Sequence, residues 1–178
     1  MKILSPLQNS AYLNTIQRKP VITQQFGKDF LLNGKLYYQS LGMQGHNGID
    51  FRAKVGIPVF ASMSGVITTC NDGSKGYGLH LKLRSEINAV ELVYAHLSKI
   101  LVRNGSKVEM GEIIAFSGNS GITTAAHLHF GLRELSKSGE NVWNWKVKNY
   151  GNGYLGYLDI ESEILTWRGS LNAKEITL

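Results

Sequence analysis

From residue 46 to residue 133 the chain is a succession of short apolar runs broken by glycine-bearing turns, with no helical period between them. The runs are Pro58–Ala61, Gly65–Cys70, Gly78–Arg84, Glu91–His96 and Glu112–Phe116. Each has the length and the β-branched or alternating content of a strand. In Gly78–Arg84 the alternation is strict. Leu79, Leu81 and Leu83 fall on one face and His80, Lys82 and Arg84 on the other, which predicts a half-buried strand with His80 toward solvent. Asn71–Gly73, Asn104–Gly105 and Gly118–Gly121 supply turns. Strands this close together predict a mostly β fold of antiparallel sheets, with only short helices or loops at the periphery.

A length of 178 residues with 43% hydrophobic content suffices for one domain and is short for two. The expected organisation is a single domain in three parts. Residues 1–43 form a leader and a loop or hairpin, 44–133 a dense core, and 134–178 an aromatic-rich extension. That extension holds Trp143, Trp145 and Trp167. Aromatics at this density ordinarily cover a sheet or pack a terminus, and stacking on a substrate is the alternative. Tyr157–Leu165 reads as a short helix or a strand.

The formal charge of +6 and a pI of ≈ 9.4 favour an anionic partner, whether nucleic acid, a phosphorylated glycan, acidic lipid or the bacterial wall, with simple solubility as the alternative. The basic residues form no run and are not interleaved with aromatics, so nucleic acid is not expected as a partner. One cysteine, Cys70, excludes an internal disulfide and a Cys-x-x-Cys metal site, and it reads as a small strand residue. The N-terminal sequence contains no signal-peptide apolar region, and no stretch approaches a membrane span.

The histidines and one aspartate carry the chemistry. His127 and His129 in His-Leu-His project from one face of a strand, with Leu128 turned the other way. His46-Asn-Gly-Ile-Asp50 places a nitrogen donor and a carboxylate four residues apart, and Gly48 between them allows a bend. His96 ends a strand after Tyr94-Ala95. Taken singly, these are also what exposed strands and surface turns contain, and Asp50 could equally cap a backbone amide.

In combination they resemble the lysostaphin/LytM-type zinc endopeptidases, whose pattern is H-x-x-x-D, then a single His, then H-x-H. Gly45–Phe51 is similar to that family's first ligand segment. Gly56–Ile67 is similar to its G-x-P-V-x-A-x-x-x-G-x-V/I stretch, and Gly105–Gly118 to its G-x-x-V-x-x-G-x-x-I-x-x-x-G stretch. The resemblance covers about residues 44–133. Two positions depart from it: Ala125-Ala126 stands where the family has Gly-Pro, and Gly131 stands where it has an acidic residue.

The resemblance implies the sheet architecture of that family, a duplicated-hybrid-like core. It implies one zinc ion per chain held by His46, Asp50 and His129, with His96 and His127 as catalytic acid–base residues. Two neutral nitrogens and one carboxylate leave a zinc site with net positive charge and an open position, where water acquires a pKa near about 7. The chain contains no H-E-x-x-H, so the two histidines take the part of a helical glutamate. The implied activity is hydrolysis of peptide cross-links in bacterial peptidoglycan by a monomer acting at the wall. Phage lysin action, with delivery by a holin or in a virion, fits the absence of a leader. The alternatives are a non-catalytic relative that binds the wall or activates amidases, a phage structural protein, and a cytosolic zinc-binding protein without hydrolase activity.

Overall fold

The computed structural model describes residues 3–7 and 20–165; Trp167 and most of the leader lie outside the described residues. In chain order the strands are β1 (Ile3–Leu4), β2 (Ile22–Gln24), β3 (Leu31–Leu32), β4 (Lys35–Leu36), β5 (Ile49–Arg52), β6 (Pro58–Phe60), β7 (Gly65–Asn71) and β8 (Leu79–Ser85). They continue with β9 (Val90–Ala95), β10 (Leu97–Ile100), β11 (Lys107–Val108), β12 (Ile113–Ser117), β13 (His127–Ser136), β14 (Lys146–Val147) and β15 (Ile164–Leu165). Among the described residues one four-residue α-helix, α1, spans Tyr37–Ser40. The main sheet runs β11-β7-β8-β9-β13-β5-β2, with β14 added to the far end of β13, and a smaller sheet runs β10-β12-β6. Every pairing in these two sheets is antiparallel, as the sequence predicts.

Strand β13 organises the molecule. Its Leu128, Phe130 and Leu132 join Ile49, Phe51, Leu81, Leu83, Leu92 and Tyr94 in one buried cluster with Val59 and Ile114 of the small sheet. A fully buried Leu, Ile or Phe there contributes roughly 1.5–3 kcal/mol. The Tyr94 hydroxyl is buried too, and accepts a hydrogen bond from the Ser62 amide at 2.8 Å. The alternate residues of β13 face the other way, beside Glu91, Val93 and Ala95 of β9.

That second face is covered as well, which corrects the reading of His80. The residue is 4% exposed, because the loop before β8 folds Tyr77 onto its ring at 5.5 Å. Its Nδ1 lies 2.9 Å from the Gly78 carbonyl, and Nδ1–H donates to it. Arg84, on the same face, donates to Glu91 at 2.8 Å and to the Val142 carbonyl at 2.8 Å. The alternation of β8 is real, but on its polar side His80 and Arg84 meet other groups of the protein. Glu91 has no exposed side-chain surface and is held by Arg84 and Arg133.

Cys70 lies in β7, half-buried, as expected of a strand residue. Residues 28–45 form the β3–β4 hairpin and α1. The Asp29 carboxylate accepts from the amides of Phe30, Tyr38 and Gln39 and ties the two together. In the extension, Trp145 is buried and its Nε1 donates to the Gly139 carbonyl at 3.1 Å, while Arg84 sits 5.4 Å over Trp143. Trp145 packs with Leu135 near the end of β13 remote from His127, and Trp143 is exposed. Residues 157–165 divide into a bridge from Tyr157 to Arg133, a short 3-10 helix at Glu161–Glu163 and β15. β15 pairs in parallel with β1.

Candidate metal and catalytic site

Register brings the chemistry together. His129 of β13 stands opposite Asp50 of β5 on one side and Ala95 of β9 on the other, so His96 follows directly beside it. His46 arrives on the loop before β5, fixed by backbone bonds from the Gly27 amide to its carbonyl and from its own amide to the Lys28 carbonyl.

Three donor atoms form a small triangle. His46 Nε2 lies 3.0 Å from His129 Nδ1 and 3.2 Å from Asp50 Oδ1, and His129 Nδ1 lies 3.0 Å from Asp50 Oδ1. All three residues are buried. His46 Nδ1 is 3.2 Å from the Gln25 carbonyl, to which only an N–H can donate, so neutral His46 offers its Nε2 as a lone pair. The carboxylate offers another. One proton on His129 Nδ1 cannot satisfy both, and without it three acceptors face one another. A divalent cation satisfies all three. Two imidazole nitrogens and one carboxylate are zinc donors, and the edge of a zinc tetrahedron is about 3.3 Å, close to the sides of this triangle. The residues therefore fit a zinc ion.

Gly48 serves this cluster differently from the bend expected of it. Its φ is not in the left-handed region, but a Cβ there would lie 2.6 Å from His129 Cε1. The constraint is close approach to the ring.

His96 and His127 flank the triangle, their ring centroids 4.7 Å apart. His96 Nδ1–H donates to the Ser120 carbonyl at 2.8 Å, and His127 Nδ1–H to the Ala125 carbonyl at 2.8 Å. In both neutral rings Nε2 is left as a free base, and His127 Nε2 lies 3.5 Å from Asp50 Oδ2. A backbone carbonyl anchors His127, so Ala125 serves where the resembling family has glycine. His96 holds a left-handed backbone, φ 60°, which costs a non-glycine residue of order 1 kcal/mol or more.

Electrostatics match this arrangement. Burial, with His129 and His127 nearby, pulls His96 down to about 4. Burial raises the Asp50 carboxyl, but the His129 and His46 rings beside it outweigh this and hold the group well below the usual range. Burial lowers His129, against the pull of Asp50. A cleft of about 330 Å³ opens onto His96 and His129, walled by Tyr37, Tyr38, Leu41, Ile122 and Leu155. Its floor includes Tyr77 and Asn47, and Tyr38 packs on His46 at 5.2 Å. Sequence reading passed over these residues, since nothing in their local pattern separates them from ordinary loop aromatics. All five positions singled out from the sequence thus meet in one place, and His80 lies outside it.

Comparison with known proteins bears on this geometry. Residues 44–142 match the family model described as Peptidase family M23. Peptidoglycan DD-endopeptidase ShyA of Vibrio cholerae is 40% identical over 87 residues, which are 49% of this chain and 20% of ShyA. The matches span about a fifth of the length of such curated relatives. The solved catalytic domain of lysostaphin from Staphylococcus simulans aligns with a TM-score of 0.56 and 30% identity, over 79% of this chain and 94% of that one. A zinc-containing peptidase from Vibrio cholerae aligns with a TM-score of 0.56 and 28% identity, over 72% of this chain and 35% of that one.

Proposed function

The chain belongs to peptidase family M23, and from that premise we propose that it is a zinc-dependent endopeptidase hydrolysing peptide cross-links of bacterial peptidoglycan. The observation that carries the reading is the buried triangle of His46 Nε2, Asp50 Oδ1 and His129 Nδ1, with sides of 3.0 to 3.2 Å. In this reading those three residues hold the ion. Bound there, zinc supplies Lewis-acid chemistry and acidifies water.

His96 and His127 do the proton work. Each presents Nε2 beside the triangle with its Nδ1–H spent on a carbonyl, so one ring, neutral, accepts a proton from the attacking water at Nε2, and the other, when it enters the step protonated at Nε2, delivers that proton to the leaving amine and is left neutral. Help of this kind is worth about 10²–10⁴ in rate. Asp50 bridges the two groups of residues, with Oδ1 toward His129 and Oδ2 toward His127. The substrate peptide lies in the cleft over His96 and His129. The wall substrate is supported by ShyA, a peptidoglycan endopeptidase by name. Zinc is supported by the donor set and by the zinc-containing structural relative. Residues 44–133 are read as the catalytic core of one domain that also includes the flanking segments. The wall is the proposed place of action, with release by a holin or from a virion as its route.

The test is digestion of purified peptidoglycan, followed by mass spectrometry of the products. New amine termini at the cross-links, lost with chelator and restored by zinc, are expected. An unchanged muropeptide profile with zinc bound would replace the enzyme by a wall-binding relative.

A further inference from the structure

Three of the histidines in the cluster have a ring nitrogen tied to a backbone carbonyl: His46 to Gln25, His96 to Ser120 and His127 to Ala125. His129 has no such tie. Its Nε2 is buried and has no hydrogen-bond partner among the described residues. A metal-binding histidine ordinarily donates from its second nitrogen to a carboxylate or carbonyl, which fixes the ring. Here packing has to do that work.

Besides the rings of His46 and His96, two surfaces lie against it. One is the backbone of Gly48, where a Cβ would come within 2.8 Å of Nε2. The other is the ring of Tyr77, 5.1 Å away between centroids and inclined by 30°. Tyr77 is itself held by its hydroxyl, which accepts from Asn47 Nδ2 at 2.8 Å and donates to the Tyr157 hydroxyl at 3.1 Å. Tyr157 comes from beyond the segment that matches the family model. It is seated firmly. Its ring lies so close to Gly131 that a Cβ there would be 2.6 Å from Tyr157 Cε1, and the Arg133 guanidinium lies 4.8 Å over it. The residues around it are fastened to the sheet and to the His46 loop, by the Leu158 amide to the Leu132 carbonyl and by the Gln44 amide to the Gly153 carbonyl. Glycine at 131, a departure from the resembling pattern, is what admits Tyr157.

We propose that Tyr77 and Tyr157 are positioning residues for His129, so that the C-terminal segment is part of the metal site and not an appendage. The proposal rests on the reading of His129 as a ligand. An imidazole without an outer hydrogen bond keeps its direction only while its neighbours stay still. Breaking the hydroxyl pair frees the Tyr77 ring, and Nδ1 then points less often toward Asp50 and His46.

The experiment uses the full chain and measures zinc affinity by chelator competition at a temperature where each protein is shown to be folded. Tyr77→Phe and Tyr157→Phe each remove one oxygen. Each is expected to weaken zinc by about 10-fold, within the range for outer partners of metal ligands. The double variant is expected to be no weaker than Tyr77→Phe alone, because that change already breaks the hydroxyl pair along with the Asn47 bond. The visible spectrum of the cobalt-loaded Tyr157→Phe protein is expected to shift. Affinities within two-fold of the parent would overturn the proposal. Losses that multiply in the double variant, or a weaker affinity with an unchanged cobalt spectrum, would overturn it as well, since they indicate general loosening. His129→Ala separates this result from failure of the underlying reading. Parental zinc affinity in that variant defeats the ligand assignment itself. Zinc lost there but kept in both Phe variants leaves the assignment standing and defeats only the positioning role.

Discussion

The two faces of β13 have opposite chemistry although they are built from alternate residues of one strand. Leu128 and Phe130 point into a dry apolar cluster, whereas His127 and His129 point into a polar one beside Asp50 and His96. The dry face depends on many interchangeable contacts, and its stability is a sum over them. The polar face depends on a few donors at fixed distances, each with one task. Damage to the first should appear as lost stability, and damage to the second as lost metal or turnover in a folded protein.

The largest effect should come from His129→Ala. Zinc content is expected to fall from one per chain to none, and hydrolysis to the level of the chelated parent, with circular dichroism unchanged. Elemental analysis beside the digestion assay checks it, and unfolding would break the contrast between the faces. Next come His96→Ala and His127→Ala, expected to keep zinc and to lose about 10²–10⁴ of turnover. Full turnover in either would remove that residue from the chemistry. Phe130→Ala, at a fully buried position on the dry face, should cost about 3–5 kcal/mol in urea unfolding. Its zinc stoichiometry and the turnover of its folded molecules should stay near the parent's.

Glu91→Gln sharpens the comparison, because Glu91 lies on the polar face yet far along it from the ligands. Burial raises its carboxyl, but Arg133 and Arg84 more than offset this and hold it below its ordinary value. A lowered carboxyl stabilises the fold fully above the unfolded value, about 4.3, and loses that contribution as pH falls through the folded one. The variant should therefore be less stable by about 3 kcal/mol at pH 7, since removing one partner strands buried charge. The gap should narrow below about pH 4 in parallel urea titrations. A constant gap across that range would show that charge is not what holds Glu91.

Much of this was legible in the chain. The alternation at Leu79–Ser85 and the short β-branched runs announced antiparallel strands, and the period of two placed His127 and His129 on one face. His80 was misread because a strand's pattern tells which residues share a face and not what covers that face. Tyr77, which covers it, lies in a neighbouring turn whose path no local rule specifies. Gly48 and Gly131 were visible as glycines, but their reasons, the His129 and Tyr157 rings, come from distant parts of the chain.

Residue types and their order alone determined that the chain makes β-strands, and that imidazole and carboxylate donors alternate with core residues along them. Local sterics and side-chain periodicity act within a few residues, so they can be read in one dimension. Only the tertiary structure decided that β5, β9 and β13 lie side by side in a register that brings the donor atoms to about 3 Å. It also decided that Tyr157 returns to brace the cluster. Those placements follow from long-range packing and strand pairing, which join residues far apart in sequence and leave no mark in any single segment.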